Sequence, residues 1–149
     1  METISFSILI NAGVKKVWHT MLDDGTYRQW TKAFGEGSYY KGNWEKGSEI
    51  QFIAPTGDGK TEGMYSKIKE NVPYKYISIE HLGVVTNGVV DTTSEKVKNW
   101  ASAMVNYGFS EKDGQTLLTI DMEIEASYKE MFEKMWPDAL NALKILAEQ

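Results

Sequence analysis

The residue best placed for chemistry is His81, which follows Ile77 and Ile79 at alternate positions with Ser78 and Glu80 between them. An imidazole on an apolar strand face can act as a general base or hold a ligand carbonyl. The same position suits a strand-end histidine that is merely hydrogen-bonded or partly wet, and the sequence leaves both readings open. A catalytic His81 would need a polar partner such as Ser66 or Tyr107. His19 falls off the apolar face of its helix, and two histidines without any cysteine give no metal-ligand spacing. Asp121, Glu123 and Glu125 alternate along one strand face, which reads more simply as a solvated exterior than as an acid/base pair. Gly57-Asp58-Gly59-Lys60 lacks the glycine spacing of a phosphate loop, and there is no GxSxG nucleophile elbow. No cofactor and no metal are expected.

A second set of residues points to binding. Trp30, Phe34, Phe52, Met64, Tyr107, Met131 and Met135 are the apolar side chains expected to line a pocket, with Ile79, Val105 and His81 completing the ligand-facing set. Methionine adapts to varied apolar shapes. Each of these residues alone would serve equally well as plain core.

The elements that must position them follow from hydrophobic period. Ile4, Phe6, Ile8 and Ile10 alternate with polar residues as in a half-buried strand. Val14, Val17, Trp18, Met21 and Leu22 then fit a short amphipathic helix. Asp23-Asp24-Gly25 breaks it, and Tyr27, Trp30 and Phe34 suggest a second. From 35 to 124 the signals are strand and turn: Pro55 to Lys60 reads as a turn, Asn71-Val72-Pro73 as a break, and Lys112-Asp113-Gly114 as a hairpin turn. Residues 83–99 read as a long loop with a helical turn near 94–98. On the strand near 100–111, Ala103, Val105 and Tyr107 are preferred as inward, and on the last strand Thr116, Leu118, Ile120, Met122 and Ile124. The C-terminal segment is the clearest helix: Ser127 and Glu130 fit a capping box, and Tyr128, Met131, Phe132, Met135, Trp136, Ala139, Leu143 and Leu146 form a wide apolar stripe. Pro137 lies inside it and should kink it.

Composition narrows the function classes. The 149 residues suit one domain, spanning 1–149, and 42% hydrophobic with 25% charged residues is ordinary for a globular chain. A formal net charge of −5 without a basic cluster argues against nucleic-acid binding, since Lys15-Lys16 reads as a solvated helix face. No apolar run approaches the ~20 residues of a membrane helix. The N-terminus lacks the features of a secretory signal, and the absence of cysteine fits a reducing cytoplasm, so a soluble cytoplasmic protein is expected.

Strand, two short helices, about six strands and one long helix give an α+β domain: a curved seven-stranded antiparallel sheet wrapped on a long C-terminal helix, with two short helices after strand 1. A single helix is not expected to fill such a sheet tightly, so space should remain between them. Three stretches carry a family resemblance: Val17-Trp18 with Trp30, then Gly42-Asn43-Trp44-Glu45-Lys46-Gly47 followed by Ile50 and Phe52, then Trp136 with Ala139-Leu140, Leu143 and Leu146. On these the chain resembles the START-like, birch-pollen-allergen-like helix-grip superfamily (SRPBCC). Its nearest likeness is to the branch similar to the C-terminal domain of the heat-shock chaperone ATPase activator. The resemblance implies a cavity between sheet and helix for a small hydrophobic molecule. It also brings two alternatives, an enzyme of polyketide-cyclase type using His81 and a chaperone-interacting module.

Overall fold

The computed structural model describes residues 1–149. Strand β1 (Glu2–Ile10) leads into helices α1 (Val14–Leu22) and α2 (Asp24–Trp30) and a 3-10 turn (Thr31–Ala33). Strands β2 (Tyr39–Gly42), β3 (Glu49–Pro55), β4 (Thr61–Val72), β5 (Tyr76–Thr86) and β6 (Val89–Asp91) follow. A short α3 (Glu95–Lys98) precedes β7 (Ala103–Lys112), β8 (Gln115–Ile124) and the long α4 (Ala126–Ala147). The break between the first two helices is a single residue, Asp23, which ends one and begins the next.

The strands form one antiparallel sheet in the order β1-β8-β7-β5-β4-β3-β2, with β6 pairing β5 as a short eighth strand. Alternation along the strands puts most apolar side chains on one face, while Ile53 and Val85 are buried on the other, outside the main core. Ile4 pairs with Met122, Phe6 with Ile120 and Ile8 with Leu118, so β1 and β8 present one continuous apolar row set. Inward Val105, Tyr107 and Phe109 extend it across β7, which settles the register of that strand as read from the sequence. Ile10, Ile68, Ile77, Leu118, Ile120 and Leu143 are fully buried at the centre of the core.

Two readings of the sequence need correction. Most of 83–99 is not loop: β5 continues to Thr86 and turns through Asn87-Gly88, both at positive φ, into β6. Left-handed φ at both turn residues matches the twist of the flanking strands, and Asn-Gly adopts it at low cost. The helical turn at 95–98 is present, with Ser94 capping it through Val97 N. The capping box of the last helix does not form, because the helix starts two residues earlier, with Glu125 at the N-cap and Ser127 already inside the first turn.

Helix α4, 22 residues long, divides at Trp136-Pro137. Its buried residues are Trp136, Ala139, Leu140, Leu143 and Ala147, all in the C-terminal half. That half packs on β1, α1 and α2, whereas the N-terminal half, 126–135, buries none of its residues. Pro137 has no N–H for the Glu133 carbonyl and stands at this boundary.

The division makes a stability prediction. Leu143→Ala should destabilise by about 2–5 kcal/mol through transfer and cavity terms. Ile145→Ala, at a position 55% exposed on the same helix, should stay within about 0.5 kcal/mol. Urea unfolding of both variants checks this, and equal effects would contradict the packing described.

Candidate functional site

Strand β5 places His81 on the concave face, and a local irregularity aims it. Ser66 pairs with His81 while the preceding Tyr65 pairs with Gly83, so Leu82 is an extra residue in β5. A bulge of this kind bends its strand and redirects the side chains beside it. His81 Nδ1 lies 2.7 Å from Ser66 Oγ, and its ring meets Phe52 edge-on at 6.3 Å. Burial pushes the imidazole down to about 4, so the ring is neutral at neutral pH. Ser66 is fully buried and no carboxylate bonds the ring, so this pair is no nucleophilic triad. The serine fixes the ring instead, leaving Nε2 as the free edge.

Aromatic side chains build the walls. Trp136 of α4 is the hub, with Phe34 at 4.9 Å, Phe6 and Trp30 at 6.1 Å and Tyr107 at 6.3 Å. Tyr27 joins Trp30 at 5.5 Å, Tyr40 at 4.9 Å and Phe52 at 6.4 Å. Much of the space expected between sheet and helix is therefore filled by Trp136 itself. Around the overhanging half of α4, Phe34, Phe52, Met64, Phe132 and Met135 remain only half-buried, an apolar rim.

The polar atoms of these aromatics fall into two groups. Trp30 Nε1 donates to the Met21 carbonyl, Trp44 Nε1 and Tyr40 OH donate to the Leu22 carbonyl, and Trp136 Nε1 donates to Met122 Sδ. Tyr27 and Tyr107 differ: they are 7% and 6% exposed, yet neither hydroxyl has a hydrogen-bond partner in the protein. Burial raises both phenols well above the usual tyrosine range, and for Tyr27 the neighbouring Tyr107 adds to the rise. Asn71 Oδ1 is the one side-chain nitrogen or oxygen both sealed from solvent and without a partner. The two phenol oxygens must therefore border accessible space.

The expected site residues separate on this frame. Trp30, Ile79, Val105 and Tyr107 are buried on the concave side; Phe34, Phe52, Met64, His81 and Met135 are half-buried around it. Met131 is 44% exposed on the overhanging half of α4, as is neighbouring Tyr128 at 42%. Tyr27 was missed by sequence reasoning. The available signal was its place three residues before Trp30, on the inward face of α2, where a phenol needs a partner. Two open grooves lie elsewhere: one of ≈ 280 Å³ between β1 and α4 at Phe6, Ile8 and Pro137, the other of ≈ 330 Å³ on the sheet at Met104 and Asn106. No helix is long and apolar enough to cross a membrane.

Comparison with known proteins places this geometry. A family model described as "Activator of Hsp90 ATPase homolog 1-like protein" matches residues 11–148. The Aha1 dimer of Colwellia psychrerythraea superposes with a TM-score of 0.74 at 18% identity, covering 99% of this chain and 97% of that one. A protein of Chromobacterium violaceum gives 0.72 at 18% identity, covering 100% and 99%. DynU16, from the dynemicin biosynthetic locus, gives 0.68 at 14% identity, covering all of this chain but 48% of that one. Among curated proteins no sequence match is found. At these identities the structural likenesses establish the helix-grip fold, and the family match spans nearly the whole chain. The chain belongs to the Activator of Hsp90 ATPase homolog 1-like family.

Proposed function

We propose that the protein binds a small, largely apolar molecule on the concave side of its sheet, under the overhanging half of α4. The observation that carries this reading is the pair of buried phenols, Tyr27 and Tyr107, that have no protein partner while bordering accessible space. Because both oxygens border accessible space, a ligand oxygen can take the place of water at each of them. The half-buried rim of Phe34, Phe52, Met64 and Met135 offers apolar contact on the way in, and Trp30, Ile79, Val105 and His81 furnish the floor. Binding sites of this kind combine apolar walls with a few convergent polar groups.

Native mass spectrometry of gently purified protein should show an added small-molecule mass that disappears on denaturation. The neutral fluorescent probe phenylnaphthylamine should bind and be displaced by the extracted molecule. Protein that neither retains a ligand nor takes up the probe would sink the reading.

A second reading, catalysis by His81, is favoured by one specific feature: the ring is neutral and held in place through Ser66, as a base must be. It has a signature in stability. The folded ring accepts a proton only near pH 4, while the unfolded chain does so near the ordinary histidine value of 6.5. As pH falls through this window the unfolded state gains protons first, so stability is lost on acidification and unaffected above it. The loss attributable to His81 should be below about 3 kcal/mol, because the ring keeps some solvent contact. Chemical denaturation at stepped pH checks this. His81→Gln should show a flatter acid limb than the parent, and identical limbs would show that His81 is not held neutral.

A further inference from the structure

We infer that the outer edge of β1, from Thr3 to Ser7, receives an extended peptide segment carrying a lysine or arginine, which adds to the sheet as a further strand. β1 ends the sheet: it pairs with β8 and has no strand on its other side. Residues of an antiparallel pair alternate, one presenting both N–H and C=O to the partner strand and the next turning both away. The Leu9 carbonyl accepts a hydrogen bond from Lys144 Nζ at 3.0 Å, so Leu9 is of the outward kind. Counting back in twos along the unbroken register from Glu2 to Ile10, Ser7, Ser5 and Thr3 are outward as well. Their row of donors and acceptors matches an extended backbone, the pairing used in strand addition.

This edge is tied at its ends and open between them. Helix α4 runs alongside β1: Lys129 meets Glu2 at 3.5 Å near one end, and Lys144 takes the Leu9 carbonyl near the other. Glu148 accepts the Asn11 N–H at 2.7 Å just beyond. Between these ties lies the groove of ≈ 280 Å³, lined by Phe6, Ser7 and Ile8 of the strand and Pro137, Leu140 and Asn141 of the helix. Proteins commonly protect an exposed edge with proline, a bulge or a lysine. β1 has no proline and no register shift, Ser5 and Ser7 are exposed, and the one guarding lysine bonds at Leu9.

Charge selects the occupant. Residues four apart share a side of a helix, so Lys129, Glu133, Pro137 and Asn141 form one line along α4. Lys129 reaches the start of β1, and Pro137 and Asn141 line the groove, which places Glu133 beside the strand between Glu2 and Phe6. Glu133 is exposed and has no ion-pair partner, because Lys129 is engaged with Glu2 and Lys134 with Glu130. A second copy of this chain paired edge to edge about Ser5 would bring two Glu133 carboxylates toward one two-fold axis, a like-charge contact. A basic segment supplies the complement. Side chains of an added strand alternate in direction. Those opposite Ile8 and Phe6 turn toward the apolar groove, and the one opposite Ile4 turns toward Glu133. Read antiparallel to β1, the fitting segment is apolar, polar, apolar, polar, basic.

The probe is a fluorescein-labelled peptide of sequence TVTVTKT, whose valines fall opposite Ile8 and Phe6 and whose lysine falls opposite Ile4. Fluorescence anisotropy with the full chain at low ionic strength should show saturable binding. Methylating the backbone nitrogens of the two threonines opposite Ser7 and Ser5 removes the N–H groups that face β1, and should weaken binding at least about tenfold. Glu133→Lys, at an exposed position whose fold circular dichroism checks, should weaken it about two- to tenfold, and the peptide TVTVTET should recover the loss. A methylated peptide that binds as tightly as its parent would overturn the inference, as would a charge swap that neither weakens nor rescues. Absence of saturable binding up to about 1 mM would do the same. Displacement of phenylnaphthylamine by the peptide would place it on the concave side and not at the edge. A dimer in sedimentation that the peptide dissociates would assign the edge to a second copy. Either of these also overturns the inference.

Discussion

One side chain, Trp136, holds the molecule together. Its ring packs on Phe6 of β1, Trp30 of α2, Phe34 beyond the 3-10 turn and Tyr107 of β7, while its N–H reaches Met122 Sδ of β8. Elements from both ends of the sequence and from the sheet's centre converge on this indole. A curved sheet with one covering helix has a concave volume too wide for aliphatic side chains from a single helix face. A tryptophan spans that width, and its neighbours fill around it. The C-terminal half of α4 is anchored by this contact and by Leu140 and Leu143, and the N-terminal half is released by it.

That partition explains where polarity ends up. Close to the Trp136 hub, aromatic donors are satisfied by backbone carbonyls at the end of α1: Met21 takes the Trp30 indole, and Leu22 takes both Trp44 and Tyr40. These carbonyls lie in the last turn of α1, where intrahelical partners run out. Tyr27 packs among the same rings, and its hydroxyl bonds none of these carbonyls.

How much of this was legible in the sequence follows from what each signal depends on. Alternation in β1 and β8 and the 3.6 period of α1 and α4 depend on one buried face, and the inward sets Ile4 to Ile10 and Thr116 to Ile124 read off directly. The segment 83–99 was misread because Val84, Val85, Val89 and Val90 carry no alternation. The signal that identifies the hairpin is Asn87-Gly88, two residues adapted to left-handed φ. The helix start at Ala126 was obscured by a Ser–Glu spacing that fits a cap but lies inside the first turn. Met131 fits the helical stripe perfectly well. Its exposure depends on how far the sheet extends beneath the helix, a property no local pattern carries.

The site shows the same limit more sharply. His81 could be placed on the concave face by counting, yet its orientation depends on the extra residue Leu82, which breaks the count one position later. Without that bulge the pairing of β4 with β5 would continue in step, and the residues beyond 81 would keep the alternation of those before it. With it, Val84 returns to the face of Met64 and Phe52. The bulge therefore does two things at once: it places His81 beside Ser66, and it resets the strand so that the rim stays apolar. A change at Leu82 that removed the bulge would have to move a hydrogen-bonded histidine or expose a valine row. The apolar concave face and the sheet's local geometry are thus one constraint, set at Leu82 of β5.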